Sequence, residues 1–278
     1  MPRVLRVSSR NARFQQWEAL LCNRVKRQRA REFVVQGVRP ITLAAEFGWR
    51  FRALIYDADR QLSGWAEDML RDTEAVRVAM SADLLAELGE KTEDHPELVA
   101  VVEMPDDDLD RITAGSRFLG VALDRPASPG NLGSIIRSAD AFGADGIIVA
   151  GHAADVYDPR TVRASTGSLF ARPVVRCPSH REVAAWVAVQ RERECPIMLA
   201  GTDERAGLDV FDVDFTGPTL LLVGNEATGL SSAWRELCDQ AVRIPMTGAA
   251  SSLNAANATT AVLYEIARQR IQATRRAP

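Results

Sequence analysis

The apolar run Leu220-Leu221-Leu222-Val223 stops abruptly at Gly224-Asn225-Glu226-Ala227-Thr228-Gly229-Leu230. An apolar strand that runs straight into a glycine turn is how open α/β sheets form ligand crevices at the carboxyl ends of their strands. A second such edge follows at Ile244-Pro245-Met246-Thr247-Gly248. After it come the polar turn Ser251-Ser252-Leu253-Asn254-Ala255-Ala256-Asn257 and an Ala-rich run ending in Tyr264-Glu265. Two edges, one polar turn and one long helix within residues 219–270 imply a single bound ligand. The rest of the chain has to supply the sheet around them.

The chain has 278 residues, enough for one large or two modest domains with ample core. Its 46% hydrophobic and 26% charged residues are those of an ordinary folded protein, which argues against disorder. No stretch approaches the roughly 20 apolar residues of a membrane span, and the first residues carry no apolar signal segment. Cys22, Cys177, Cys195 and Cys238 lie far apart, without Cys-x-x-Cys or paired His spacing. That argues against zinc, or any metal, and against a disulfide framework, and it predicts a cytoplasmic protein.

A net charge of −3 conceals a gradient. Residues 1–31 carry Arg3, Arg6, Arg10, Arg13, Arg24, Lys26, Arg27, Arg29 and Arg31 against Glu18 alone. Asn11, Phe14, Gln15, Gln16 and Trp17 are threaded through this block. The combination suits a polyanion, with guanidinium forks for phosphates and aromatic rings to stack on bases. A merely solubilising helix would intersperse acidic residues, which are almost missing here.

Hydrophobic spacing predicts a helix over 11–29, with Phe14, Trp17, Leu21 and Val25 on one face. Strands are predicted at 32–36, 51–56, 75–78 and 98–103, with helices at 41–47, 63–71 and after Ser81. This is a small α/β module, residues 1–105. The acidic, Pro-bounded stretch 106–117 reads as a linker. A second module, 118–278, opens with a strand at 118–123 and the turn Pro129-Gly130-Asn131-Leu132-Gly133, whose backbone amides are expected to stay exposed. A helix at 134–142 and a strand at 147–150 follow, then a small-residue helix at 162–170. A strand at 174–176, a helix at 179–193 and a strand at 197–200 lead to the terminal stretch. Strands alternating with helices predict a doubly wound parallel α/β sheet. The G-x-G-x-x-G of dinucleotide-binding folds is absent, and Pro129 removes an amide that a pyrophosphate would need, which makes an oxidoreductase improbable.

Three segments carry the chemistry: Asn131-Leu132-Gly133-Ser134-Ile135-Ile136-Arg137-Ser138-Ala139, residues 224–230, and Ile244-Pro245-Met246 with Ser252-Leu253-Asn254-Ala255-Ala256. In order and spacing they resemble the three signature motifs of the SpoU family, within the SPOUT class of RNA methyltransferases. In the first module, Lys26 and Arg29, followed by Phe33-Val34-Val35-Gln36-Gly37-Val38-Arg39, resemble the opening of the family's L30e-like substrate-binding domain, with Gln36 where the motif has Glu. Within the family the resemblance runs toward members that methylate a uridine ribose of 23S rRNA and confer resistance to a ribosome-targeting antibiotic.

The resemblance implies a deep trefoil knot in the second module and a homodimer formed through it. It also implies S-adenosylmethionine held by Gly201, Thr202, Gly224, Ile244, Met246 and Leu253. Arg137 would be the central catalytic residue, oriented by Glu226, with Asn131, Ser252 and Asn254 completing the pocket. Arg10, Arg13, Lys26, Arg29 and Arg39 would contact RNA. Methyl transfer to a 2′-hydroxyl needs no metal or redox centre. His152 could act as a base near neutral pH, yet no family motif includes it. Two alternatives come from the same residues: a tRNA ribose methyltransferase, and a ribosome-associated RNA-binding protein with a dead pocket.

Overall fold

The computed structural model describes residues 4–89 and 96–276; Arg3 of the basic block lies outside them. The chain divides into two compact units, Met1–Pro105 with Tyr157–Ala171, and Asp106–Val156 with Arg172–Pro278. The division falls at the start of the acidic stretch 106–117, and it assigns to the first unit a segment that lies within 118–278.

In the first unit, β1 (Leu5–Val7) leads to α1 (Ala12–Cys22) and α2 (Arg24–Ala30), then β2 (Glu32–Gln36), α3 (Val38–Glu46) and β3 (Phe51–Asp57). α4 (Gly64–Asp72), β4 (Val76–Met80), α5 (Ala82–Leu88) and β5 (Leu98–Glu103) complete it. The sheet order is β1-β4-β3-β5-β2, with β5 antiparallel to both its neighbours and the other pairs parallel. The short β1 has too few residues to show a period, and sequence reading did not assign it.

The single helix expected over 11–29 is two helices. Asn11 caps α1 through its side chain, and Asn23 ends that helix while capping α2, its Oδ1 accepting from Lys26 N–H at 3.1 Å. An Asn side chain that bonds the backbone two or three residues on competes with helix continuation and resets the phase. Phe14, Trp17 and Leu20 are therefore buried, whereas Val25 is 72% exposed. Phe14 and Trp17 belong to the core, so they do not offer faces for bases. Arg27 is 2% exposed and donates to the carbonyls of Leu20 at 2.7 Å and Leu21 at 3.2 Å.

The segment Tyr157–Ala171 completes this core. It carries α7 (Pro159–Ser165) and α8 (Ser168–Ala171), which follow the second unit's long helix α6 (Pro129–Ala141) in the chain. Phe33 meets Tyr157 at 4.7 Å and Phe170 at 6.2 Å between ring centroids, and Trp49 Nε1 donates to Phe170 O at 3.0 Å. Asp158 lies 3.8 Å from the buried Arg27.

The second unit is a seven-stranded, all-parallel sheet. Its strands are β6 (Leu119–Asp124), β7 (Gly146–Ala150), β8 (Val174–Cys177), β9 (Met198–Thr202), β10 (Leu208–Asp209), β11 (Thr219–Val223) and β12 (Gln240–Arg243), in the order β10-β12-β9-β11-β6-β7-β8. β6, β7 and β11 are buried along their whole length, as expected of strands covered on both faces. α9 (His180–Glu192) and α10 (Ser232–Leu237) pack one face through Val183, Trp186, Val187 and Trp234 against Ala122, Ile148, Leu220 and Leu222. α6 packs along the final helix α11 (Ala255–Arg276), with Ser138 Oγ and Thr260 Oγ1 at 2.7 Å.

α6 overturns one expectation. Pro129-Gly130-Asn131-Leu132-Gly133 is its first turn, with Ser128 as N-cap accepting from Asn131 N–H at 3.3 Å. Proline at the first helical position loses nothing, because that N–H has no partner within the helix. No described helix is long and apolar enough to cross a membrane.

Removing the Arg27 guanidinium strands two helix-end carbonyls and takes a charge from beside Asp158. Arg27→Met is expected to lower unfolding stability by roughly 3 kcal/mol, against less than about 0.5 kcal/mol for Lys26→Met on the exposed face. Urea denaturation of the two variants reads the difference, and equal midpoints would refute the structural role of Arg27.

Candidate active site

Gly224, at the end of β11, is the point where the site closes on itself. A Cβ there would come within 2.2 Å of the backbone of Gly229 and Leu230, so only glycine fits. The loop it opens folds back as Asn225 N–H donates to Gly229 O at 3.1 Å and Gly229 N–H to Asn225 O at 2.9 Å. Asn225 Oδ1 accepts from Ala227 N–H at 2.9 Å, and its Nδ2 donates to Arg125 O at 2.8 Å.

Glu226, at the loop tip, reaches across to the start of α6. It accepts from Ala127 N–H at 2.9 Å, Ser128 N–H at 3.1 Å and Asn131 Nδ2 at 3.1 Å. Asn254 Nδ2 then donates to Asn131 Oδ1 at 3.0 Å, while Asn254 Oδ1 caps α11 by accepting from Ala256 N–H at 2.9 Å. Burial pushes the Glu226 carboxyl upward, but the bonds from Ala127, Asn131 and Ser128 outweigh it and hold the group below the ordinary carboxylate range. Glu226 is thus a fixed anion, unsuited to carrying a proton near neutral pH. Asp124 shows the same balance: burial raises it, and the bonds from Arg125 and Ser231 bring it lower.

Beside this junction lies a cavity of about 580 Å³. Val242, Ile244, Met246, Leu253 and Val262 supply apolar walls, while Thr202, Asp203, Glu204 and the loop 224–230 supply polar groups. Met246 and Leu253 are 39% and 41% exposed. A concave site that sets apolar walls beside convergent polar groups suits a nucleoside-sized ligand.

Residues 119–264 match the SpoU rRNA Methylase family, and residues 11–100 match the SpoU L30e-like domain. The chain belongs to the SpoU family. It is 66% identical over 270 residues to a 23S rRNA (uridine(2479)-2′-O)-methyltransferase of Streptomyces viridochromogenes, covering 97% of this chain and 94% of that protein. It is also similar to the crystal structure of the SpoU methyltransferase AviRb from Streptomyces viridochromogenes in complex with the cofactor AdoMet. There the TM-score is 0.91 and the identity 66%, over 94% of this chain and 99% of that one. An AdoMet-bound rRNA methyltransferase from Sinorhizobium meliloti gives a TM-score of 0.83 at 29% identity, over 95% and 98% of the two chains.

Against this SpoU framework, the residues singled out in the sequence separate into groups. Thr202, Gly224, Ile244, Met246 and Leu253 line the cavity, as do Glu226 and Ser252. Asn131 and Asn254 join Glu226 through hydrogen bonds. Gly201 stands apart from the lining: a Cβ there would meet Cys238 Sγ at 2.5 Å, so its smallness serves packing. Arg137 is exposed on α6, with no hydrogen bond or ion pair to the described residues. Six residues along a helix turn it about 120° away from Asn131, and the structure does not bring it to Glu226.

Arg13, Lys26, Arg29 and Arg39 are exposed, while Arg10 is held by Glu87 at 2.6 Å and Glu18 at 3.3 Å. His152 is exposed in the loop after β7. Sequence reading passed over Asp124, Arg125 and Asn225. Their signal was an acidic residue ending a wholly apolar strand, and an Asn immediately after a strand-terminal glycine. No group of three or more His, Cys, Asp or Glu among the described residues could hold a metal ion.

A carboxyl whose folded pKa is depressed stabilises the fold above its unfolded pKa, and that stabilisation is lost as pH falls through the folded value. For Glu226 the loss begins below about pH 4.3. The wild type is expected to lose more thermal stability than Glu226→Gln between pH 6 and the acid side of that range, as read by melting curves. Parallel pH profiles for the two proteins would refute the fixed-anion assignment.

Proposed function

We propose that this protein transfers the methyl group of S-adenosylmethionine to the ribose 2′-hydroxyl of a uridine in 23S rRNA. The observation that supports this best is the joining of all three motif segments by Glu226, Asn131 and Asn254 beside a cavity walled by Ile244, Met246 and Leu253. The relative that carries this activity shares 66% of its residues over nearly the whole chain. A tRNA substrate finds less support, because the first module matches an L30e-like domain and the relative acts on rRNA. By the same reading, residues 1–105 form the RNA-binding domain, 106–117 the linker and 118–278 the catalytic domain. The deep trefoil knot, the cytoplasmic location and the role in antibiotic resistance belong to the same proposal.

S-adenosylmethionine supplies an electrophilic methyl on a sulfonium, and its transfer leaves the thioether. Thr202, Gly224, Ile244, Met246 and Leu253 would hold it. The chain itself then has to place the 2′-oxygen in line with that methyl and let its proton leave. Glu226 is committed to Ala127, Ser128 and Asn131, so it orders the amides and the Asn131 carboxamide and does not accept that proton. The carboxamides of Asn131 and Asn254 fix one another, and Ser252 presents a hydroxyl at the cavity rim. The guanidinium of Arg137 would clamp a phosphate and polarise the hydroxyl by position and charge. Arg10, Arg13, Lys26, Arg29 and Arg39 are proposed as the phosphate contacts of the first module, with Arg10 loosened from its carboxylates.

The structure changes how that arm is best tested. Residues 1–31 include β1, Phe14, Trp17, Leu20 and Arg27, so deleting them would remove core along with charge. Paired substitution of exposed Lys26 and Arg29 spares the core. The decisive experiment is tritiated-methyl transfer from S-adenosylmethionine to 23S rRNA, 16S rRNA and tRNA, followed by mapping of the product. Label on the base, or on tRNA alone, would overturn the proposal, and unchanged RNA affinity in the Lys26/Arg29 variant would overturn the arm's role.

Arg137→Ala is expected to lower kcat by roughly a hundredfold or more with little change in S-adenosylmethionine affinity, because the guanidinium lies outside the cavity lining. Arg137→Lys should recover little, since a point ammonium cannot fork. Near-normal turnover in a folded Arg137→Ala protein would remove Arg137 from the mechanism.

A homodimer through the second module is part of the proposal. Part of the Ala-rich run that ends in Tyr264-Glu265 is used within the chain, where Ala256 and Thr259 are buried. Tyr264 and Ile271, seven residues apart on α11, remain 60% and 52% exposed and offer a joint face. Light scattering at micromolar concentration is expected to give twice the chain mass, and Tyr264→Glu to halve it. A fully active monomer would refute the homodimer as the working form.

A further inference from the structure

The strand edge that carries the cavity also carries a second polar construction, which the reaction as described leaves unused. Asp124, the last residue of β6, is 3% exposed, and Arg125 directly after it is held at φ +52°. Arg125 Nε donates to Asp124 Oδ1 at 2.8 Å, and its Nη2 donates to Oδ2 at 3.1 Å. This fork fixes the plane of the guanidinium. Behind it, Asp124 Oδ2 accepts Ser231 N–H at 2.9 Å.

The backbone of Arg125 is equally committed. Its N–H donates to Ala150 O at 3.0 Å, and its carbonyl accepts from Asn225 Nδ2 at 2.8 Å. Its Cγ lies 3.0 Å from where a Cβ on Gly151 would stand. What Arg125 has left over is its outer edge, Nη1 and the second N–H of Nη2, neither of which donates to a described residue, on a side chain 41% exposed. A residue in the left-handed region, where glycine sits without strain, is thus an arginine braced from behind with its outer edge open.

We propose that Arg125 binds a phosphodiester oxygen of the RNA next to the methylated ribose, as a second grip distinct from Arg137. The inference rests on the RNA-methylation reading above. Arg125 lies two residues before Ala127, whose N–H orders Glu226, and its carbonyl is held by Asn225, which lines the cavity. Arg125 itself is outside that lining, which suits a substrate contact and not a cofactor contact. In-line transfer to a 2′-oxygen requires the ribose to be immobilised through its neighbouring phosphates. A guanidinium already locked by a carboxylate loses little freedom in doing so.

The test compares wild type with Arg125→Gly and Arg125→Asn, both of which tolerate the left-handed backbone, and with Arg125→Lys. Steady-state methylation of a 23S rRNA fragment is measured across a salt series, with S-adenosylmethionine binding measured separately. Expected is a KM for RNA raised roughly tenfold in the Gly and Asn variants, with little recovery by Lys. The slope of log KM against log salt should shrink by about 0.7 to 0.9, the share of one phosphate contact, while S-adenosylmethionine affinity stays unchanged. An unchanged KM and salt slope in folded Gly and Asn variants would overturn the proposal and leave Arg125 as a counter-charge for Asp124. A parallel loss of S-adenosylmethionine binding would overturn it too, making Arg125 a brace for the cavity loop. Wild-type protein that methylates no RNA would overturn the functional reading itself, and with it this one.

Discussion

The Glu226 carboxylate is the interaction on which the site depends. Its two oxygens take hydrogen bonds from two backbone amides and one carboxamide, all about a hundred residues earlier in the chain. An anion with that many donors is worth more to the structure charged than protonated, which is why its pKa falls despite partial burial. The amides it uses lie at the entry to α6, where backbone N–H groups point outward without helical partners. One side chain therefore satisfies orphan donors, positions Asn131, and holds the loop after Gly224 against the next strand.

That junction is useful only if the helix that Asn254 caps is fixed as well, and a buried arginine does this. Arg270, 9% exposed, donates to the carbonyls of Phe215 at 3.0 Å, Arg117 at 2.7 Å, Phe118 at 2.9 Å and Gly217 at 2.7 Å. These carbonyls lead into β6 and β11, so α11 is tied to the amino-terminal edge of the strands whose opposite ends form the site. Burial lowers the Arg270 pKa, and among the described residues no carboxylate pairs with it, Asp145 acting only through its charge. The guanidinium accommodates this because its donors form a planar fan that four carbonyls can share. Lysine, with a compact ammonium, could not span them.

How much of this the sequence disclosed follows from what each feature rests on. Strands such as β11 and β6 are short apolar runs bounded by turn residues, and they were readable without a structure. The three motif segments were readable too, because glycine, asparagine and serine at strand ends have few other uses. The phase of the basic block was not. Asn23 looks like any polar residue on a helix, yet its side chain restarts the helix and exchanges Val25 for Arg27 in the interior. The first turn of α6 was hidden for the opposite reason: Pro129 and Gly130 read as a turn, and proline at the first position of a helix has the same sequence signature. The burial of Tyr157 and Phe170 among Phe33 and Trp49 depends on contacts more than a hundred residues apart, which no local period records.

The same facts alter what the charge gradient at the amino terminus means. Nine cations in 31 residues suggested a continuous polyanion-binding arm with stacking rings. Folding withdraws Arg27, Phe14 and Trp17 into the interior and engages Arg10 with two glutamates. What stays exposed on α1 to α3 is a thinner set of cations, among them Arg13, Lys26, Arg29 and Arg39. On the proposed reading these cations would position a nucleic acid through its phosphates without reading its bases. Discrimination of one nucleotide must therefore come from the shape of the RNA and from groups at the catalytic edge, where a rigid, outward-facing guanidinium is more selective than a mobile one because it accepts only a narrow range of phosphate positions.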